Sequence, residues 1–243
     1  YVQGFSASFV DQMLNRYEIN EGQTVLDPFV GSGTVLVCAK MRGVNSIGVD
    51  LMPLMTFMSK VKTDWSIDVN EIKQELKNLD RSQQPTISPP TFLRELSAQF
   101  KEAVLRNLLI LKQSILSVKN KKIRDLFKLA LASILVDCSN LKRSPCLGYV
   151  KNKDVPDDAP FKYFTNKVEQ MIEDLKYVQG KKHGKTTIIT GDARTITYEP
   201  SSIDIAITSP PYVNGLDYII NYKIEMAWLD MVNSYENLRE LKN

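Results

Sequence analysis

The sequence predicts an α/β fold, an open doubly wound parallel sheet of strand order 3-2-1-4 interrupted by an all-helical insertion. Three observations predict it. Apolar runs at 24–29 and 46–49 flank a glycine turn and a helical stretch, and the second run ends at Asp50. Residues 65–185 then show helical periodicity without a strand pattern. Two more short apolar runs, 186–190 and 203–208, resume the sheet. The chain accordingly divides into a first sheet portion at 1–64, an insertion at 65–185 and a second sheet portion at 186–243.

The elements follow in order. Phe5, Phe9, Val10, Met13, Leu14 and Tyr17 recur at near-helical spacing, which predicts an amphipathic helix over 5–18. Glu21-Gly22 turns the chain into the strand Thr24–Phe29. After the turn Gly31-Ser32-Gly33, a helix spans Thr34–Arg42 and stops at Gly43. Ser46–Val49 is the second strand, and Pro53 opens a helix reaching about Lys62. In the insertion, helices are expected over 68–79, 91–119, 121–141 and 161–177, with a proline-rich break at 83–90 and a loop at 143–160. Strands follow at 186–190 and 203–208, then a last helix at 218–232.

Composition narrows the class. The chain has 243 residues, 43% of them hydrophobic and 24% charged, as in ordinary globular proteins. No apolar run approaches the roughly 18–20 residues that span a bilayer. No signal peptide is visible, although the chain starts at Tyr1 rather than Met. Cys38, Cys138 and Cys146 lack metal-type spacing, so a reducing, cytoplasmic setting and no metal are expected. The net charge of +3 is unevenly spread. Residues 101–185 hold 18 Lys/Arg against 9 Asp/Glu, and the remainder 13 against 19. A basic middle in an acidic frame suits a polyanion-binding insert on a cofactor-binding unit; a solvated Lys-rich helical surface reads the same way.

Two short segments carry the chemistry. In Asp27-Pro28-Phe29-Val30-Gly31-Ser32-Gly33-Thr34 the glycines let the backbone approach a ligand closely. The helix opening at Ser32–Thr34 presents N–H groups suited to a carboxylate. Asp27 can accept from an ammonium group, so a small ligand bearing both charges fits, such as the methionine end of an adenosyl cofactor. Asp50 sits where an acidic residue reaches ribose hydroxyls in dinucleotide folds. There is no Gly-Lys-Ser/Thr for a phosphate loop, and only two of the three dinucleotide-binding glycines are present. In Ser209-Pro210-Pro211-Tyr212 the prolines remove two N–H donors and stiffen a strand end. The Ser209 side chain and the Pro210 carbonyl can accept from an exocyclic amine, and Tyr212 offers a face for a flipped base. As plain structure, these would be a tight turn and a proline-rich strand end.

With those residues in view, the chain resembles the DNA amino-methyltransferases that modify N4 of cytosine or N6 of adenine. The resemblance covers roughly residues 1–63 and 186–232 and implies a Rossmann-like S-adenosylmethionine-dependent fold. Asp27–Thr34 is similar to that family's cofactor motif, and Ser209–Tyr212 to its catalytic motif, in the form typical of cytosine-N4 members. Carried over, the catalytic residues are Ser209, Pro210, Pro211 and Tyr212. The cofactor residues are Phe9, Asp27, Phe29, Gly31, Ser32, Gly33, Thr34, Asp50, Leu51, Asp192 and Ala193, with no metal. Ser8 stands before Phe9 where many relatives carry Lys. DNA is the implied partner, contacted by Lys142, Arg143, Tyr218 and Lys223. Asp217, Tyr218, Tyr222 and Lys223 either face DNA or belong to a helix packed on the sheet. Adenine-N6 methylation, RNA amine methylation and a silent nucleic-acid-binding module of this fold are the alternatives.

Three further points complete the reading. Pro145-Cys146 looks like the nucleophile of cytosine-C5 methyltransferases, but it lies in the insertion and is incidental. His183, in the basic turn 180–185, is solvated or faces phosphate. Members of the fold carry three more strands after the catalytic motif, so a fragment is expected here, or a sheet completed by a second chain or second copy.

Overall fold

The computed structural model describes residues 6–93, 96–150, 153–211 and 217–241. Its first elements are α1 (Ala7–Arg16), β1 (Thr24–Asp27), α2 (Thr34–Met41), β2 (Asn45–Asp50), α3 (Pro53–Thr63) and α4 (Val69–Asn78). Next come α5 (Leu96–Gln99), α6 (Glu102–Ser117), α7 (Lys121–Ile134), β3 (Leu141–Arg143), β4 (Leu147–Tyr149) and α8 (Ala159–Val178). The last are β5 (Thr186–Thr190), β6 (Ile205–Ala206), α9 (Tyr218–Asn221), α10 (Lys223–Trp228) and α11 (Tyr235–Glu240). They group into two compact units, residues 1–65 with 178–216 and residues 66–177 with 217–243.

The first unit holds a fully parallel sheet in the order β5-β2-β1-β6, which is the expected 3-2-1-4. It is the Rossmann-like methyltransferase arrangement in incomplete form. Register is set by side-chain alternation: Val25 and Asp27 of β1 are buried, and Thr24 and Leu26 between them are half-buried. Val25 and Ile207 share a core with Val10 and Leu14 of α1 and Val35, Leu36 and Ala39 of α2. Ser6 caps α1 by accepting from Phe9 N, and Pro53 opens α3. Gly48 of β2 is required by packing: a Cβ there would lie 2.7 Å from both Leu36 Cδ2 and Val30 Cγ2.

The second unit is mostly helical, around Phe100 against Trp228 and Phe127 against Phe164. It departs from the sequence reading in four places. The helix expected over 91–119 is broken between α5 and α6, because Asn140 takes the Gln99 and Ala98 carbonyls that a continuing helix would use. The helix expected over 121–141 ends at Ile134. The insertion is not all-helical: β3 and β4 form an antiparallel ribbon in the register Leu141↔Tyr149, Lys142↔Gly148, Arg143↔Leu147. The helix expected over 218–232 breaks at Tyr222, and α11 follows it.

A buried ion pair secures that ribbon. Arg143 donates to Glu225 Oε1 at 2.6 Å and to the Asn221 carbonyl at 2.7 Å, and its guanidinium lies 4.3 Å from the Tyr222 ring centroid. Their side chains are 14% and 7% exposed. Burial pushes the Glu225 carboxyl up, while Arg143 pulls it down. No helix among the described residues is long and apolar enough to cross a membrane.

Arg143→Ala leaves Glu225 buried without its cation and should destabilise the second unit by about 3–5 kcal/mol, as urea unfolding would measure. The double variant Arg143→Met/Glu225→Leu should recover most of that loss; a full loss in the double variant would mean that packing, not charge, is at stake.

Candidate active site

The carboxyl ends of all four parallel strands lie along one edge of the sheet, the usual ligand position in an open α/β fold. At the end of β1, Asp27 is 3% exposed. Its Oδ1 accepts from Phe29 N at 3.1 Å and from Thr208 Oγ1 at 2.9 Å. Thr208 immediately precedes Ser209-Pro210-Pro211, so this bond ties the two signature segments together across 181 positions of sequence. Beyond the short β6, Ile207 N still donates to Leu26 O at 3.0 Å, which holds the two strand tips side by side. Ser209 is half-buried; Pro210 and Pro211 are exposed.

The glycine turn is fastened on three sides. Val30 N bonds Val49 O at 2.8 Å, and Gly31 N donates to Asp50 Oδ2 at 3.0 Å. Asp50 Oδ1 accepts from Met52 N at 2.9 Å. From α3, Ser59 Oγ donates to Gly31 O at 3.2 Å and Lys62 Nζ to Ser32 O at 2.9 Å. Gly31 and Gly33 have φ of +47° and +79°. A Cβ on Gly33 would lie 2.7 Å from Ser59 Oγ, so helix and turn approach too closely for any side chain there. Gly33 also caps α2, and no side chain caps its first-turn N–H groups. Ser32 and Thr34 hydroxyls lie 3.3 Å apart.

Two carboxylates here are perturbed upward. Burial pushes Asp27 up to about 6; the Thr208 and Phe29 hydrogen bonds oppose the rise and nearby Asp50 adds to it. Burial also raises Asp50, against the backbone N–H groups of Met52, Gly31 and Leu51. At the end of β5, Gly191 N bonds Asp50 O at 3.0 Å. The Asp192 carboxylate is held by Arg194, through Nε at 3.0 and 2.9 Å and Nη2 at 2.5 Å, and these bonds keep it below the usual carboxylate range. Ala193 is half-buried beside it. Phe29 and Leu51, at the ends of β1 and β2, are each 41% exposed, as is Phe9 in the first turn of α1.

The donor set suits an amino-acid-bearing nucleoside. A buried carboxyl, a turn with outward N–H groups, a second carboxylate one strand over and a third on the next would meet an ammonium, a carboxylate, ribose hydroxyls and an adenine amine. Thus Asp27, Gly31, Ser32, Gly33, Thr34, Asp50 and Asp192 lie around the strand ends, and Thr208–Pro211 with them. Tyr212 lies outside the described residues. Arg143, expected to face phosphate, instead makes the buried pair with Glu225. Tyr222 is buried at 6% exposure, while Tyr218 and Lys223 are half-buried and Lys142 is exposed. His183 sets its ring edge-on to Trp65, with centroids 5.5 Å apart. Thr208, Ser59, Lys62 and Arg194 went unread in the sequence; the serine–lysine pair one helical turn apart on α3 was the available signal. Among the described residues no group of three or more His, Cys, Asp or Glu is placed to hold a metal ion.

Comparison with known proteins follows the same lines. Residues 5–60 match the DNA methylase family of the N6/N4 type. The chain is 27% identical, over its whole length and 53% of the other protein, to the type II methyltransferase M.BsoBI of Geobacillus stearothermophilus. It is 24% identical to the type II methyltransferase M.MvaI of Kocuria varians over 92% of this chain and 54% of that one. To M.MjaII of Methanocaldococcus jannaschii it is 26% identical over 67% of this chain and 31% of that one. The chain spans about half the length, or less, of these curated relatives. No solved structure matches it.

Thr208→Val removes a donor that favours the ionised Asp27. The Asp27 midpoint should then move above about 6, as a carboxyl NMR titration would follow. An unmoved midpoint would mean that the Thr208 hydroxyl does not hold Asp27.

Proposed function

We propose that this chain, a member of the DNA amino-methyltransferase family, binds S-adenosylmethionine at its strand ends and directs methyl transfer to an exocyclic amine of a DNA base, cytosine N4 in preference to adenine N6. The bond between Thr208 and Asp27 is the observation that carries the reading, because it joins the cofactor and catalytic segments in one crevice. The preference for N4 rests on Ser209 at the head of the catalytic segment. We place the chain in the cytoplasm, where its three free thiols stay reduced.

When bound, the cofactor supplies an electrophilic methyl group. The chain's own residues supply position. Asp27 accepts from the ammonium, and the N–H groups of Ser32 and Thr34 meet the carboxylate, Gly33 N–H being bonded to Val30 O. Lys62, held on the Ser32 carbonyl, adds a cation to that side of the turn. Asp50 accepts from the ribose and Asp192 from the adenine amine, with Phe9, Phe29, Leu51 and Ala193 forming apolar walls. The Ser209 hydroxyl and Pro210 carbonyl take the two amine N–H groups and turn the nitrogen lone pair toward the methyl group. Tyr212 stacks on the extruded base. Orientation in a partly dry site does most of the work, and no covalent enzyme intermediate is required. Lys142, Tyr218 and Lys223 contact the DNA.

Label transfer from methyl-tritiated cofactor into duplex DNA, followed by mass spectrometry of the modified base, tests this directly. Label in N4-methylcytosine is expected; label in N6-methyladenine would replace the target base, and label in RNA alone would overturn the reading. Ser209→Ala should abolish transfer while leaving cofactor affinity within about twofold.

Cofactor binding should also depend on pH through Asp27. With its midpoint raised to about 6, Asp27 is mostly ionised above that pH and mostly protonated below it. Binding an ammonium requires the ionised form, so affinity for S-adenosylhomocysteine should be full above about pH 7 and fall about tenfold per unit below the midpoint. Calorimetry across pH 5–8 checks the sign, and Asp27→Asn should remove the dependence. Lys62→Met should weaken S-adenosylhomocysteine about fivefold, the worth of a partly exposed charge contact. It should leave methylthioadenosine, which lacks the carboxylate, unchanged. Equal losses for both ligands would show that Lys62 only supports the turn.

A further inference from the structure

We propose that the β3–β4 ribbon is a reading element that enters a groove of duplex DNA, its tip at Ser144–Cys146 and Lys142 on the phosphate backbone. This rests on the methyl-transfer reading for the identity of its ligand.

The ribbon has two faces with different tasks. Its inward face is fully committed to the second unit. Leu141 is 4% exposed, and Arg143 is bonded to Glu225 and the Asn221 carbonyl. The Asn221 side chain accepts from Leu147 N at 2.6 Å and donates to Pro145 O at 3.2 Å. Lys153 Nζ holds the Leu141 carbonyl at 3.0 Å, and Ser144 N closes the tip on Cys146 O at 3.1 Å. The outward face and tip are open: Lys142, Ser144, Pro145, Cys146 and Gly148 are exposed. A two-stranded ribbon, alone too small to be stable, is thus clamped by a buried ion pair in order to present a tip.

Charge and shape select the occupant. Residues 141–153 contain four basic and no acidic residues. Because Arg143 is neutralised inside, the outward charge on the ribbon is Lys142, and opposite it stands Gly148, with no side chain to bar close approach. A ribbon of this width fits the major groove, about 12 Å across, where a hydroxyl such as that of Ser144 can meet base edges.

Cys146 supplies the test. It is exposed, whereas Cys38 and Cys138 are buried, with thiols pushed up by burial to about 11 and about 12. Alkylation of the chain with a maleimide should therefore report on the tip. Saturating duplex DNA should slow modification of Cys146 at least tenfold, and S-adenosylhomocysteine alone should not. Lys142→Ala should lower the slope of log affinity against log salt by about one, with melting temperature and S-adenosylhomocysteine affinity unchanged. A duplex that binds while Cys146 reacts at its free rate overturns the ribbon and leaves the methyl-transfer reading standing. A chain that binds no duplex overturns both. A Lys142→Ala variant with an unchanged salt slope removes the phosphate contact and, with it, this mode of docking.

Discussion

The site depends on a single buried carboxyl, Asp27, at the end of a central parallel strand. A carboxylate removed from water must find hydrogen bonds or take up a proton. Asp27 does part of each. Phe29 N–H and the Thr208 hydroxyl satisfy one oxygen, yet burial still holds the group near the point of protonation. The geometry around it follows from that compromise. Thr208 can reach Asp27 only if β6 lies directly against β1, so satisfying the carboxyl brings the proline segment to the edge of the glycine turn. A local electrostatic requirement thereby sets the long-range architecture of the crevice.

The glycine turn answers a second constraint, space. With α3 so close that Ser59 would collide with any Cβ at position 33, the turn and helix can exchange hydrogen bonds directly. Ser59 and Lys62 occupy the Gly31 and Ser32 carbonyls, the acceptors that would otherwise repel an anion. Within the turn, Val30, Gly31 and Gly33 N–H groups are bonded to Val49 O, Asp50 Oδ2 and Val30 O, so the N–H groups at the start of α2 are its polar face. Closeness of backbone, loss of side chains and polarity toward an anion are one arrangement seen from three sides.

How much of this was legible follows the range of each interaction. The strand, turn and helix of the first 63 residues are local: alternation, two glycines and Pro53 state them within short windows, and the structure agrees within a few residues. Strand order was legible because the strand, glycine turn, helix, strand pattern is that of a doubly wound sheet, whose order is 3-2-1-4. The breaks in the helical unit were not, since the end of α5 is decided by Asn140, some forty positions away. The ribbon escaped notice for a related reason. Its strands have three residues each, too few for a period of two to register, and their stability comes from Asn221 and Glu225 far downstream. Arg143 was read as a phosphate ligand because sequence displays a charge without its partner. Only folding shows which arginine is already neutralised.

That distinction separates two buried carboxylates, Glu225 and Asp27. Glu225 has its counter-charge within its own unit; Arg143 lies against it, and the pair closes on itself as part of the fold. Asp27 is bonded only to neutral donors, a hydroxyl and a peptide N–H. Both are costly to bury, but the costs are met differently: the first by a cation already in the chain, the second only in part. An ammonium group arriving at the strand end would complete for Asp27 what Arg143 completes for Glu225, and would favour its ionised form, any proton passing to water. The same physical rule that makes one carboxylate structural makes the other a candidate site, and the difference lies in whether the positive charge is built in or must be bound.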